Sequence, residues 1–467
     1  MENVFLSQFL MISNVKTVIF LAVLAVLFWF IHFLYKKKHV DFALLVMIGT
    51  GLGLVLGLVM QWVAGFPEAP MDNTFIKETT TWYALFGNGF IDLIKMLVVP
   101  LVMVSMMQVV INMEQGKSMG KLVKTTIVVT MLMVAVSAVI GIAVGMIFNV
   151  GAGSAPVQGT AEAKEIVSVA QTLRGLIPAN VVSAMVNNSI IGLVIFSAIF
   201  GLAVWWVNQE KPELAAPLYK GINGLHKAMI NMALLILDYM PYAVLALLAN
   251  TIAQRGIASI LEVGKFIIAL YIAVAIQFVV QLVALVLHGI NPIAYLKKSF
   301  ATMLLAFTSR SSVGCLPMTI ETLTKKLGVN EGTASFVAGF GTTAGMQGCA
   351  GVFPALLIIY VSNVTGAPID FTLLIMTVIV ITIGSLGIAG IPGTATMAAS
   401  VGLSGVGMAS SFSMVSPILA IDPIIDMPRT MLNVTGSLTN ALMVDKRVGT
   451  FDAAAYADMS LDLKNKK

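Results

Sequence analysis

Stretches of about 20 residues with little or no charge recur along almost the whole chain, each long enough for a helix to cross a hydrocarbon core of about 30 Å. Of 467 residues, 10% are charged and 58% hydrophobic, whereas a soluble domain carries roughly 25% charged residues. Such a chain reads as an integral membrane protein. No alternation of polar and apolar residues marks strands, so the spans are helices rather than the staves of a barrel. The first apolar run, Thr17 to Leu34, is followed by "YKKKH". It is too long for a signal h-region, has no small-residue cleavage site, and reads as a retained helix. Two cysteines provide neither a disulfide framework nor a metal-ligand cluster. The net charge of +5 belongs to loops, so a nucleic-acid partner has no support.

Apolar spans lie near 14 to 35, 41 to 64, 82 to 113, 120 to 149, 178 to 208, 217 to 253 and 258 to 289. The pattern then changes. Residues 293 to 327 and 370 to 412 are apolar but interrupted by "TSRSSVGCLP" and "SLGIAGIPGTAT". Each is followed by a span, 331 to 361 and 415 to 446, that carries polar groups at mid-depth. Lysines and arginines at 36 to 38, 117 to 124, 211 and 220, 297 and 298, 325 and 326, and 446 and 447 must share the cytoplasmic side. They do so only if 293 to 327 and 370 to 412 are re-entrant hairpins entering from opposite faces, with the N-terminus outside and a cytoplasmic tail at 447 to 467. Two such hairpins, each paired with a polar helix, form an inverted repeat of the kind secondary transporters use to bind solute near the midplane. The plainer alternative, Gly and Pro as kinks in ordinary spans, puts charged loops on the wrong sides.

Within "DPIIDMPRTMLNVTGS", Asp422, Asp426, Arg429, Asn433 and Ser437 fall in a stripe roughly 80° wide at about 100° per residue. An ionised side chain facing lipid at mid-bilayer costs at least about 2.5 to 3.5 kcal/mol, so the stripe faces protein or a watery cavity. One reading is an internal ion pair between Asp426 and Arg429 that joins helices. The other is a solute site: Arg429 offers a planar fork to a carboxylate, Asp426 an acceptor to an ammonium group, and Asn433 either. The hairpin tips, with Arg310, Ser311, Ser312 and Gly314 in one and a Gly-rich backbone in the other, can complete it.

These residues carry a resemblance. "DMPRTMLNVTGSLTNALMVDK", "SRSSVGCLPMT", "SLGIAGIPGTAT" and "DLIKMLVVPLVMVSM" resemble the dicarboxylate/amino-acid:cation symporter family, the glutamate-transporter fold, over about residues 41 to 447, and within it the cystine uptake branch. The resemblance implies an all-α multi-pass protein of the cell membrane, with two re-entrant hairpins and one helix, 14 to 35, added to the family's usual set. It implies a homotrimer in which a transport domain (120 to 149 and 258 to 446) moves like an elevator past a scaffold (41 to 113 and 178 to 253). Substrate would meet Ser312, Cys349, Asp426, Arg429, Asn433 and the tip backbone at Ile388, Ala389, Gly390 and Gly393. Asp426 would take the amino group, Asn433 and Ser312 the α-carboxylate, and Arg429 the far end.

Departures from the family pattern bear on the driving ion. Sodium-coupled members carry "NMDGT" where this chain has "GMQGC", Gly345 to Cys349, and an Asp where it has Ser437. Two carboxylates and an amide are gone, so two of the family's three sodium sites are in doubt. A residual sodium site near Thr343, Met346, Ser385 and Ile388 remains, although the usual hydroxyl is missing at Ile388. The alternative ion is a proton on Asp422 or Asp426, since burial disfavours a charged carboxylate. No other cofactor is implied. The implied activity is import of L-cystine by symport, with acidic amino acids or C4-dicarboxylates as the alternative cargo. An intramembrane aspartyl protease would need its two carboxylates on facing helices, and these share one helix. A channel would be marked by uncoupled currents. Thiol exchange of Cys315 or Cys349 with a disulfide cargo would stall the carrier, and both read as small buried residues.

Overall fold

The computed structural model describes residues 5–38, 40, 42–67, 69–111, 117–152, 174, 177–187, 189–255, 257–388 and 394–458. Among them no strand occurs. The helices run α1 (Val15–Lys38), α2 (Phe42–Ala64), α3 (Thr74–Ile111), α4 (Lys117–Ile147), α5 (Val181–Val186), α6 (Ile190–Glu210), α7 (Pro212–Leu237), α8 (Met240–Arg255) and α9 (Ile257–Leu287). They continue as α10 (Pro292–Ser309), α11 (Ser312–Glu321), α12 (Glu331–Thr343), α13 (Phe353–Thr365), α14 (Phe371–Gly384), α15 (Thr394–Gly405), α16 (Ser416–Ala420), α17 (Asp422–Val448) and α18 (Ala453–Ala457). Seven helices among the described residues are long and apolar enough to cross a membrane, or eight if a bent pair counts as one span.

Differences from the sequence-based expectation have local causes. The span placed at 82 to 113 starts earlier, at Thr74, because the Asn73 side chain accepts from the Phe75 N–H at 3.0 Å and opens the helix there. The span placed at 217 to 253 is two helices, α7 and α8, that meet at 54°. Pro241 has no N–H to give the Leu237 carbonyl four residues back, and its ring blocks a continuous helix. Residues 178 to 208 divide into α5, capped by Asn180, and α6.

Both interrupted segments fold as pairs of packed helices, α10 with α11 and α14 with α15. Asn291 caps α10 and Asp370 caps α14. In the first pair the connection is a left-handed Arg310 (φ 55°), after which Ser311 caps α11 by accepting from the Gly314 N–H at 3.0 Å. The span at 331 to 361 is itself broken. α12 ends at Thr343, Ala344 is extended, Gly345 takes φ 74°, and a single wide turn at Gly348–Val352 leads into α13.

α2 lies along α8, where Gly49 and Gly53 have no room for a Cβ against the Pro241 and Leu245 backbones, a small-residue seam suited to close helix packing. α17 is almost wholly buried against α4, α9, α10 and α12. At the N-terminus the buried Glu78 of α3 accepts from the backbone N–H of Ser13 (2.9 Å) and Asn14 (3.2 Å) and the hydroxyl of Thr17 (2.8 Å), placing a carboxylate at the positive end of α1. Lys298, whose charge reads in the sequence as a cytoplasmic loop marker, is buried in α10. Its ammonium donates to the carbonyls of Lys326 (2.8 Å), Ala455 (3.1 Å) and Tyr456 (2.7 Å), tying α18 beneath the first hairpin.

Candidate functional site

The polar stripe of α17 faces protein. Arg429 is 0% exposed, its guanidinium carbon 4.2 Å from the centre of the Phe353 ring. Nε donates to the Ile425 carbonyl at 3.1 Å, and Nη2 donates to both Asp422 and Asp426, at 3.1 Å to the latter. Nη1 is buried without a hydrogen-bond partner among the described residues. The internal ion pair is therefore present, and it leaves one arm of the fork free. Asp426 also accepts from the Thr430 hydroxyl at 3.4 Å and lies 3.7 Å from the Cys349 thiol.

One turn further on, Asn433 joins three elements. Its Oδ1 accepts from the backbone N–H of Gly348 (2.8 Å) and Cys349 (3.1 Å), and its Nδ2 points to Cys349 Sγ (3.1 Å) and to Ser312 Oγ at the start of α11 (3.5 Å). Gly348 is required here, because a Cβ would run into the backbone of Arg429. Opposite, Arg310 is 5% exposed, and its guanidinium reaches the Pro423 carbonyl at 3.5 Å and keeps an Nε with no partner among the described residues. Asp422, Asp426, Arg429, Asn433, Ser312 and Cys349 thus form one contiguous cluster between α17, the break after α12 and the tip of the first hairpin. A fixed set of buried donors and acceptors with unfilled valences is suited to holding a polar solute.

The sequence pattern described as the sodium:dicarboxylate symporter family matches residues 42–447. The chain belongs to that family. Proteins called L-cystine uptake protein TcyP are similar to it: that of Bacillus cereus is 36% identical over 437 residues, covering 90% of this chain and 92% of its own. The one from Shouchella clausii is 36% identical over 457 residues, covering 94% and 95%, and the one from Bacillus licheniformis 33% identical over 460, covering 95% and 97%. The chain is thus a multi-pass membrane transporter of the glutamate-transporter-like helical fold, and not an enzyme.

Around this transporter's cluster, other predicted residues take varied places. Ile388 is 1% exposed in the apolar core, while Ala389, Gly390 and Gly393 lie outside the described residues. Of the carbonyl set suggested for sodium, Ser385 O accepts from the Gly345 N–H at 3.1 Å and Met346 O from the Ala350 N–H at 3.0 Å, so the second hairpin touches the break. The Ser385 hydroxyl is turned to Thr382 O, and the Thr343 side chain is outside the described residues. Among the described residues no three His, Cys, Asp or Glu side chains converge on a metal position. Asp92 and Lys95 pair at 3.9 Å on α3, and the Lys95 ammonium also lies 3.9 Å from the centre of the Phe412 ring.

Sequence reasoning missed Phe353 under the guanidinium and two glutamines of α9, Gln277 and Gln281, that approach the break from behind. Their signal was available: two amides four residues apart on one face of the uncharged stretch from Phe266 to Leu287.

Proposed function

We propose that this transporter imports L-cystine, as the names of its relatives suggest, and does so by symport, as its family's description suggests, with the α17 cluster as its binding site. The observation that carries the reading is the charge balance of that cluster. Asp422 and Asp426 bring two negative charges and Arg429 and Arg310 two positive ones, and each guanidinium keeps a buried nitrogen without a partner among the described residues. Cystine has two ammonium and two carboxylate groups and no net charge, so a balanced site stays balanced when it loads. A C4-dicarboxylate would add two uncompensated negative charges to a low-dielectric pocket, which is costly unless cations enter with it.

In this reading Asp426 accepts from the near ammonium group, Asn433 Nδ2 and Ser312 donate to the near carboxylate, and Arg429 Nη1 donates to the far one. The backbone at Ile388, Ala389, Gly390 and Gly393 closes the site, and Cys349 leaves room for the disulfide body. The driving ion is held either as Na+ at the carbonyls of Thr343, Met346, Ser385 and Ile388 or as a proton on Asp422 or Asp426. The transport domain, 120 to 149 and 258 to 446, moves as an elevator against the scaffold, 41 to 113 and 178 to 253, in a homotrimer whose N-terminus is outside the cell.

The test is uptake of labelled cystine into proteoliposomes under separate sodium and pH gradients, with unlabelled cystine, aspartate, serine and succinate as competitors. Competition by cystine and not by succinate is the expected result. Competition by succinate without cystine overturns the cargo, and strict dependence on several sodium ions overturns coupling through the one remaining sodium site or a proton.

A further inference from the structure

We propose that Gln277, Gln281 and Gln347 are positioning residues that fix which face of the Asn433 amide the substrate meets, an inference that rests on the proposed role of Asn433 at the near carboxylate. Gln277 and Gln281 sit four residues apart on α9, so their side chains leave the helix on the same side. Both are 0% exposed, and Gln347, in the break between α12 and α13, is 1% exposed.

The two α9 amides converge on one atom. Gln277 Nε2 donates to Gln347 Oε1 at 2.7 Å and Gln281 Nε2 donates to the same oxygen at 2.9 Å. Gln281 Nε2 also reaches the Leu432 carbonyl on α17 at 3.2 Å, and Gln277 Nε2 the Met133 carbonyl on α4 at 3.4 Å. Gln347 is thereby held by two amides of α9 that are themselves bonded to α4 and α17. Behind it, Gly436 is small enough to let the amide lie on α17, since a Cβ there would come within 2.7 Å of Gln347 Nε2.

Directly after Gln347 the chain presents the pair of N–H groups that face Asn433. Gly348 and Cys349 both donate to Asn433 Oδ1, at 2.8 and 3.1 Å. Two backbone donors on one oxygen determine which end of the amide is which, because the Nδ2 group placed there would bring donor against donor. Asn433 therefore shows its Nδ2 donor toward Ser312, and a donor suits a carboxylate and repels an ammonium group. The polarity of the site at this point is set by the turn that Gln347 anchors.

The arrangement is expensive to keep as mere packing. Gln277 Oε1, Gln281 Oε1 and Gln347 Nε2 are buried without partners among the described residues, and such groups are rare in native interiors. Three apolar side chains of similar size would fill the same space without unsatisfied atoms. The direction the amides impose on Gly348 and Cys349 accounts for them instead.

The experiment compares full-length wild type, Gln347→Met, the double variant Gln277→Leu/Gln281→Leu and the triple variant in proteoliposomes, reading KM and kcat for cystine and competition by cystine bisamide. Expected are a KM raised at least tenfold by Gln347→Met, kcat within twofold, a similar rise in the double variant and no further rise in the triple. The bisamide, which replaces carboxylate acceptors with groups that also donate, is expected to compete better against the variants than against wild type. An unchanged KM, a fall in kcat alone, or multiplying effects overturn the proposal. Gln277→Leu and Gln281→Leu singly keep one donor each and guard against misfolding; correctly assembled single variants, each with wild-type KM and bisamide competition, also count against it. A wild type that takes up no cystine defeats the functional reading instead.

Discussion

Replacing Arg429 with lysine separates the contacts its guanidinium makes within the protein from the one proposed for it with substrate. Nη2 and Nε are engaged within the protein, by Asp422, Asp426 and the Ile425 carbonyl, and Nη1, without a partner among the described residues, is the group proposed for the far carboxylate of cystine. A lysine ammonium preserves the charge, so the two buried carboxylates stay compensated and the fold survives. Arg429→Leu would leave them uncompensated at a cost of about 3 to 5 kcal/mol, and its failure would carry no information about substrate. Lysine has no fork, however, and donors spent on the aspartates are lost to the ligand. Losing one charge-assisted contact, with some longer-range attraction retained, costs about 2 kcal/mol, or about 30-fold in KM. Uptake of cystine by Arg429→Lys, read against inhibition by S-methylcysteine, measures this directly, because S-methylcysteine carries one amino-acid head and no far carboxylate. Cystine is expected to lose about 30-fold while the half-length ligand changes by less than about threefold. Equal losses for both, or an unaltered KM for cystine, refute the assignment of Nη1 to the far carboxylate.

Glu78→Ala removes the acceptor that caps α1 and is expected to cost about 1 to 2 kcal/mol, seen as faster hydrogen exchange along the first turns of α1 with α17 unchanged. Lys298→Met removes the ammonium that three carbonyls share under the first hairpin and should lower stability by about 3 kcal/mol, with a lower Tm and protease cleavage after Gly449. Gly348→Ala forces a methyl group into the Arg429 backbone, at about 1 to 3 kcal/mol of overpacking, and should abolish specific uptake even in protein that still assembles. Gln347→Glu keeps an acceptor for the two α9 amides but adds a buried negative charge, so uptake should become dependent on a monovalent cation when sodium is exchanged for an inert ion at constant ionic strength.

The parts of the fold that were legible in the sequence are those where a residue type conflicts with its surroundings. Asp422, Asp426, Arg429 and Asn433 repeat at helical spacing in an apolar segment, and no lipid-facing helix can carry them. Ser311 and Asn291 announce helix starts inside the first hairpin, as caps do anywhere. What escaped reading depends on partners far away in sequence. Lys298 looks like a loop charge until the carbonyls of residues 326, 455 and 456 are brought round it. Glu78 falls ahead of the span read at 82 to 113, and its part in the fold depends on the turn at Ser13 and Asn14 that docks on it. Gln277 and Gln281 are neutral and few, so they leave the hydropathy of α9 intact while supplying two donors to Gln347 Oε1.

Three of the positions that depart from the sodium-coupled pattern, Gly345, Gln347 and Ser437, share a physical logic. Gly345 takes a positive φ, and the Thr130 side chain fills the place a Cβ would need. Gln347 Oε1 is met by neutral amides, and the Ser437 hydroxyl donates back to the Asn433 carbonyl at 3.2 Å while lying against Gly341. Each position is occupied by a contact made within the protein. Had carboxylates stood at 347 and 437, the empty carrier would hold a surplus of buried negative charge and could cross a low-dielectric barrier only with cations in place. With neutral groups there, Asp422 and Asp426 are matched by Arg429 and Arg310, and cystine adds nothing to the sum. On the proposed reading, both the empty and the cystine-loaded sites are electrically closed, so the charge moved in a transport cycle is that of the coupling ion alone.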